Sequence, residues 1–351
     1  MAYTTIDDPS AYFQTALYSG DSSSVTVTND GNSDLQPDWL WFKKRNTTGD
    51  HNTFDTSRGL TERLFPNLAS ASDSGSNGIS ALTDGFTSGT FYGDVNGAGN
   101  TFVTWQWKCN GGTETHSQSE SGSNIACSVQ ANTTAKFSII TYTGTGGAGH
   151  TFLHGLGSTP KVILIKIRTG ATRGWIVYHH KSHATPHENF TLLNTTAAVA
   201  DLDRFDDTAP NSTEIAVSDD THVNADGNTY VAYAFDEVQG YSKFGSYEGN
   251  NSTDGTFVYT GFKPAWLMVK RVSDTQGWLI WDSKRASVNP ASAPLTANET
   301  SSEDTPDVDL LSNGFKLRTA DTSNNAASTY IYMAFAEHPF VSSEGVPTTA
   351  R

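Results

Sequence analysis

The sequence predicts an all-β protein built from three tandem β-sandwich modules of jelly-roll or lectin-like type. Three observations point there. One strand pattern occurs three times, over residues 100–107, 228–237 and 328–337. Aligned without gaps, alternate positions are apolar in every copy: Val103/Trp105/Trp107, Val231/Tyr233/Phe235 and Ile331/Met333/Phe335. Strand side chains alternate faces with period two, so each copy is a half-buried strand with a fixed inward face. Second, short apolar stretches bounded by Gly, Asn and Asp recur along the chain, the pattern of sandwiches and barrels. Third, no stretch shows a convincing amphipathic-helix periodicity.

Each repeat opens with a short strand ending in Tyr and Gly. Phe13 to Tyr18 leads to Gly20, Phe137 to Tyr142 leads to Gly144, and Phe244 to Tyr247 leads to Gly249. The Gly suits a turn with positive φ. A proline then leads an apolar run ending in basic residues, at 37–45, 160–168 and 264–271. Proline at the first position of a strand sacrifices no ladder bond. The run is apolar on both faces, as in an interior strand, and its basic end is expected to emerge to solvent. Next, Gly174-Trp175 and Gly277-Trp278 start a strand for which the first repeat has only the weaker His51-Asn52-Thr53-Phe54. Asp-x-x-Arg follows in repeats one and three, as Asp55/Arg58 and Asp282/Arg285, but lapses in repeat two to His179 and Ser182. A Leu- and Asn-containing stretch and a polar loop lead to Gly85-Phe86 and Gly314-Phe315, replaced in repeat two by residues 214–217. The pattern just described closes each unit.

The leading prolines lie 123 and 104 residues apart, and a Ser/Gly-rich linker accounts for the longer interval. The expected organisation is a sandwich over 1–110, a linker over 111–132, and sandwiches over 133–240 and 241–351. A unit of about 100 residues is the usual size of a sandwich domain. One continuous multi-sheet body, such as a propeller, is the alternative.

The 351 residues carry a formal net charge of −15. That argues against nucleic acid, whose phosphates need a basic face, and against casual membrane association. Only 17% of residues are charged, so Ser, Thr, Asn and Gly must supply much of the surface. The N-terminus lacks the basic region and apolar run of a secretory signal, and no stretch is long and apolar enough to span a bilayer. The expectation is a chain made in a cytoplasm and soluble unless assembled into something else. Cys109 and Cys127 read as free thiols, with a local disulfide as the alternative.

The strings at 37–43, 277–283 and 330–337, with the opening at 7–14, resemble a repeat domain of virion structural proteins of marine bacteriophages, including cyanophages. The resemblance covers nearly the whole chain, with repeat two departing most. It implies a tail- or fibre-related virion component and carries over no catalytic residues.

Four histidines, His179, His180, His183 and His187, would form a metal-binding stripe on a helix, but Pro186 opposes one and the stretch reads as a surface loop. Asp201, Asp203, Asp206 and Asp207, and Glu303, Asp304, Asp307 and Asp309, read as solvated acidic loops without the glycine of a calcium loop. The Asp-x-x-Arg pairs read as ion pairs pinning a loop end. No nucleophile elbow, metalloprotease helix or phosphate-binding glycine loop is present. No catalytic, cofactor or metal residue is assigned. Tryptophans inside strand patterns read as core, and an exposed one would suit a sugar ring.

The functional expectation is a non-enzymatic phage protein on the particle exterior, a tail fibre or spike component in host attachment. Alternatives are a head decoration or fibre protein, and a glycan-degrading tailspike. Expected partners are other virion proteins, a host-surface glycan or receptor, and further copies of the chain in a cyclic trimer.

Overall fold

A computed structural model describes residues 3–75, 78–90, 92–110, 112–118 and 124–348. Four strands of each repeat pair in one order: opening, closing, proline-led, then the strand bearing the aromatic or His start. In unit 1 these are Phe13–Ser19, Thr101–Trp107, Trp39–Lys44 and Asn52–Asp55. In unit 2 they are Phe137–Thr143, Thr229–Phe235, Val162–Ile167 and Ile176–His179. In unit 3 they are Ser242–Glu248, Thr329–Pro339, Phe262–Arg271 and Trp278–Asp282. All pairings are antiparallel, and the register is shared: Phe13 faces Trp107, Phe137 faces Phe235, and Phe244 faces Met333 two residues along. The closing strand is central in every sheet, which is why it carries the cleanest period-two signal.

A smaller sheet lies over one face of each large one. It comprises Val25–Val27, Phe86–Ser88 and Ile79–Ala81 in unit 1, His150–Leu153 and Glu214–Val217 in unit 2, and Phe257–Tyr259, Gly314–Leu317 and Val308–Leu311 in unit 3. Apolar side chains from both sheets fill the space between, as with Leu40, Phe42 and Phe54 against Val27, Ile79 and Phe86. This is the β-sandwich layering, with two sheets burying facing sides.

The other face of each large sheet is buried as well. Trp39, Trp41, Trp105 and Trp107 of unit 1, Leu164, Trp175, Tyr233 and Phe235 of unit 2, and Trp266, Trp278, Met333 and Phe335 of unit 3 form one continuous core. Trp39 stacks on Tyr233 at 4.6 Å between ring centroids, and Phe13 stacks on Phe335 at 5.5 Å. The three large sheets thus stand back to back around a common centre, each sandwiched between its own core and the shared one.

Four expectations change. The closing strand is buried on both faces rather than half-buried: Thr104 and Gln106, opposite the Trp105 face, are fully buried, and Gln106 exchanges amide hydrogen bonds with Asn29 on the small-sheet side. The strand-end lysines Lys43, Lys166 and Lys270 are fully buried rather than emerging. The described residues of 111–132 include the strands Glu114–His116 and Cys127–Asn132, which extend the unit 2 sheet beside its opening strand. Gly20, Gly144 and Gly249 do not serve positive φ; a Cβ there would lie 2.6, 2.2 and 2.0 Å from the carbonyl oxygens of Gly97, Ala225 and Ala326. The small side chain is needed for close approach of backbone.

Cys109 and Cys127 are buried in different cores, Cys109 in the shared one and Cys127 under the unit 2 sandwich.

Candidate functional site

The residues singled out by the repeat pattern converge on the seams between units. Each unit touches its neighbour in one sense only: unit 1 onto unit 3, unit 2 onto unit 1, unit 3 onto unit 2. The contacts are equivalent in position and close a ring.

The first position of the fourth strand, or the residue just before it, is His51, Trp175 or Trp278. Trp175 Nε1 donates to the Phe65 carbonyl at 2.8 Å, and Trp278 Nε1 to the Leu192 carbonyl at 2.9 Å. His51 Nε2 meets the Thr296 carbonyl at 3.0 Å. His51 Nδ1 accepts from Trp41 Nε1, so Nε2 carries the proton and donates. Asn67, Asn194 and Asn298, two residues beyond these carbonyls, accept from the backbone N–H of His51, Trp175 and Trp278 within each unit. The Leu- and Asn-containing stretch is therefore the strip that the next unit docks on.

The buried lysines use the same strip. Lys43 Nζ donates to the Thr300 carbonyl at 3.1 Å, Lys166 Nζ to Ala69 at 2.9 Å, and Lys270 Nζ to Thr196 at 3.3 Å. Those carbonyls also accept from the backbone N–H of Gly49, Arg173 and Gln276. Burial lowers the Lys166 ammonium to about 7, and burial is the leading cause that lowers Lys43 and Lys270 to about 8. The arginines after these lysines are paired across two seams, Arg45 with Glu303 at 2.7 Å and Arg168 with Glu62 at 2.9 Å.

The third set involves the middle of the closing strand. Tyr233 Oη donates to Asp55 Oδ2 at 2.6 Å, and Trp105 Nε1 donates to Asp282 Oδ2 at 3.0 Å. Each aspartate is held by its own arginine, Arg58 or Arg285, and both pairs are almost wholly buried. Arg58 also donates to the Thr53 and Glu62 carbonyls, and Arg285 to Ile280 and Ala293. Burial opposes the Arg58 charge, but Asp55 and Tyr233 beside it together more than offset this and hold the guanidinium above its ordinary range. In the remaining seam the closing strand brings Met333, which has no hydrogen to donate, and the opposing places are His179 and Ser182. There His179 Nδ1 accepts the Lys181 N–H, leaving Nε2–H to donate to the Tyr332 carbonyl at 3.1 Å. Burial, then the neighbouring His180, lowers the His179 imidazole to about 3, so it is neutral.

These groups are enclosed and mutually bonded, which suits them to join units rather than to meet a substrate. His180 Nε2 lies 2.6 Å from the Phe244 carbonyl across the same seam as His179, while His183 contacts Thr185 and Asn189 within its own loop. Among the described residues no three His, Cys, Asp or Glu side chains converge as a metal site would require. Asp206 and Asp207 turn their loop through left-handed φ of 53° and 43°.

Residues 8–339 match a family model described as a domain of unknown function, DUF7483. The chain belongs to that family. No curated protein and no solved structure matches it. The DUF7483 match begins just before the first opening strand and ends on Pro339, the last residue of the last closing strand. The DUF7483 domain is thus the whole three-unit ring rather than one repeat.

One seam of the DUF7483 ring is open at its outer end. Between units 2 and 1, Gln130 fills this place and accepts from Thr56 and Ser57. Between units 3 and 2, His180 fills it. Between units 1 and 3 a cleft of about 530 Å³ remains, lined by Gln14, Asp30, Lys284, Glu337 and His338 among others. Lys284 bridges it to Asp30, while Gln14 is committed to the carbonyls of Ser10 and Ser33 and to the Gly31 N–H.

Sequence reasoning missed the lysines. The signal was present: a lysine stands six residues after each leading proline, Pro37, Pro160 and Pro264. A cation repeated at one strand position marks a fixed environment.

Proposed function

We propose that this protein is a non-enzymatic structural component of a bacteriophage particle, carried on the exterior as part of a tail fibre or spike that attaches to the host. The observation that supports this most is the use of the repeated motifs. The strings that resemble marine phage virion proteins form the proline-led, fourth and closing strands, and Lys43 and Asp282 within them bond across a seam. The product is a body with one shared core and three similar flanks. Such a body suits an appendage organised around cyclic symmetry. The open cleft between units 1 and 3 is the place we assign to a neighbouring virion protein, since side chains of the chain itself fill the other two seams.

Mass spectrometry and cryo-electron microscopy of purified particles test the proposal. The expected result is the chain in the particle, with three-lobed density on the tail. Density on the head would move it to a decoration role, and absence from particles would overturn the reading. Light scattering of the pure protein distinguishes one chain from the proposed homotrimer. Release of oligosaccharide from host surface polysaccharide by the pure protein would overturn the non-enzymatic assignment.

A further inference from the structure

All eight tryptophans are buried, so none offers a face to a sugar. The large aromatic side chains exposed among the described residues are Tyr3, Phe257 and Tyr259. Two of them, Tyr3 and Tyr259, each 59% exposed, line a single cleft of about 420 Å³ beside unit 3. Two segments distant in sequence build this aromatic pair. Tyr259 ends the edge strand Phe257–Tyr259 and is followed by a turn at Gly261, whose φ is +86°. Tyr3 is placed by its neighbour: buried Thr4 donates its Oγ1 hydrogen to the Gln239 carbonyl at 2.8 Å and anchors the N-terminal segment on that loop.

The rest of the lining is mixed: Phe340 and Val341 are apolar, and its polar groups include a fixed ion pair. Glu237 Oε2 accepts from Lys243 Nζ at 2.9 Å, and Glu237 Oε1 accepts the Phe244 N–H at 2.8 Å. This places a carboxylate and an ammonium side by side, each with capacity for another hydrogen bond. The exposed Gln239 lies in the same lining.

We propose that this cleft binds a neutral pyranose saccharide. A tyrosine ring offers an apolar face to the C–H face of a sugar and a hydroxyl to its edge. Adjacent acceptor and donor groups match vicinal hydroxyls. The Glu237 and Lys243 charges cancel within the lining, and a net charge of −15 disfavours acidic glycans. The volume lies within the roughly 300–1,000 Å³ typical of small-ligand sites. The inference deepens the attachment reading by naming a ligand class and rests on it only for biological meaning. Binding is read on pure protein and location on particles, so the two fail separately.

The test is titration of the full chain with maltotriose, cellotriose and galactobiose, followed by saturation-transfer NMR and calorimetry. At least one sugar is expected to bind saturably at millimolar concentration. Tyr259→Ala is expected to weaken binding about tenfold, the scale of one lost aromatic contact, and Tyr3→Ala in the same direction. Val288→Ala, at an exposed position away from this lining, is expected to leave binding unchanged. Circular dichroism should show both tyrosine variants folded, since each side chain is exposed. Failure of all three sugars to bind, undiminished binding in the double tyrosine variant, or equal loss in Val288→Ala would overturn the proposal.

Discussion

The seam where unit 2 meets unit 1 and the seam where unit 3 meets unit 2 solve one geometric problem with different chemistry. In the first, Tyr233 brings a hydroxyl to a buried Asp55–Arg58 pair. In the second, Met333 brings no donor, and aspartate and arginine are both replaced, by His179 and Ser182. His179 is neutral and reaches the backbone of the incoming strand. A buried carboxylate is costly unless every neighbour serves it. The comparison teaches that donor, acid and base behave as a set. Repeat two departs from the Asp-x-x-Arg pattern because the strand opposite it departs too.

The sharpest way to break this comparison is to remove one member alone. Arg58→Ser leaves Asp55 buried without its counter-ion and should cost about 3–5 kcal/mol. The triple variant Tyr233→Met/Asp55→His/Arg58→Ser copies the other seam and should recover much of that loss. Chemical denaturation of both variants checks this. A triple variant no more stable than the single one would mean that the sets do not transfer.

Trp105→Ala removes a core aromatic and the Asp282 donor together, and should cost about 3–5 kcal/mol. Because Trp105 lies in the core shared by all three units, calorimetry should show one transition for the whole chain shifted downward. A separate early transition confined to unit 1 would contradict a single cooperative body. Gln106→Ala should also destabilise, by about 1–3 kcal/mol, because it strands Asn29 on the sandwich side.

The smallest expected effect probes the ring position that all three seams share. Lys166 has an ordinary value of 10.5 and is lowered to about 7 by burial. Between those values the unfolded chain holds a proton that the native chain has lost, so stability rises with pH across this window and levels off below it. Lys43 and Lys270, lowered to about 8, act in the same direction. Lys166→Met should reduce the slope of stability against pH between about 7 and 10. The Ala69 carbonyl keeps the Arg173 N–H, so the variant should fold. An unchanged slope in urea titrations at several pH values would show that Lys166 is charged in the native state.

Much of the fold was legible in residue order because strand periodicity is local. Alternation at Val103/Trp105/Trp107 and its counterparts established the register, and the spacing of Pro, Tyr-Gly and Asp-x-x-Arg established the repeat. The same local signal misled about Thr104 and Gln106. Period two says which side chains share a face, but a polar face can meet water or a satisfied partner, and here Asn29 is that partner.

By itself, then, the sequence determined the all-β class, the strand register and the threefold recurrence of one pattern. Tertiary structure alone decided that both faces of each large sheet are buried and that the lysines lie inside. It also decided that the units close into a ring and that tyrosines, not tryptophans, are exposed around a cleft. The reason is physical: alternation and turns arise from neighbours along the chain. The carbonyls that take Lys43, Lys166 and Lys270 across the seams, and the Tyr233 and Trp105 donors to Asp55 and Asp282, come instead from another unit, tens to hundreds of residues away.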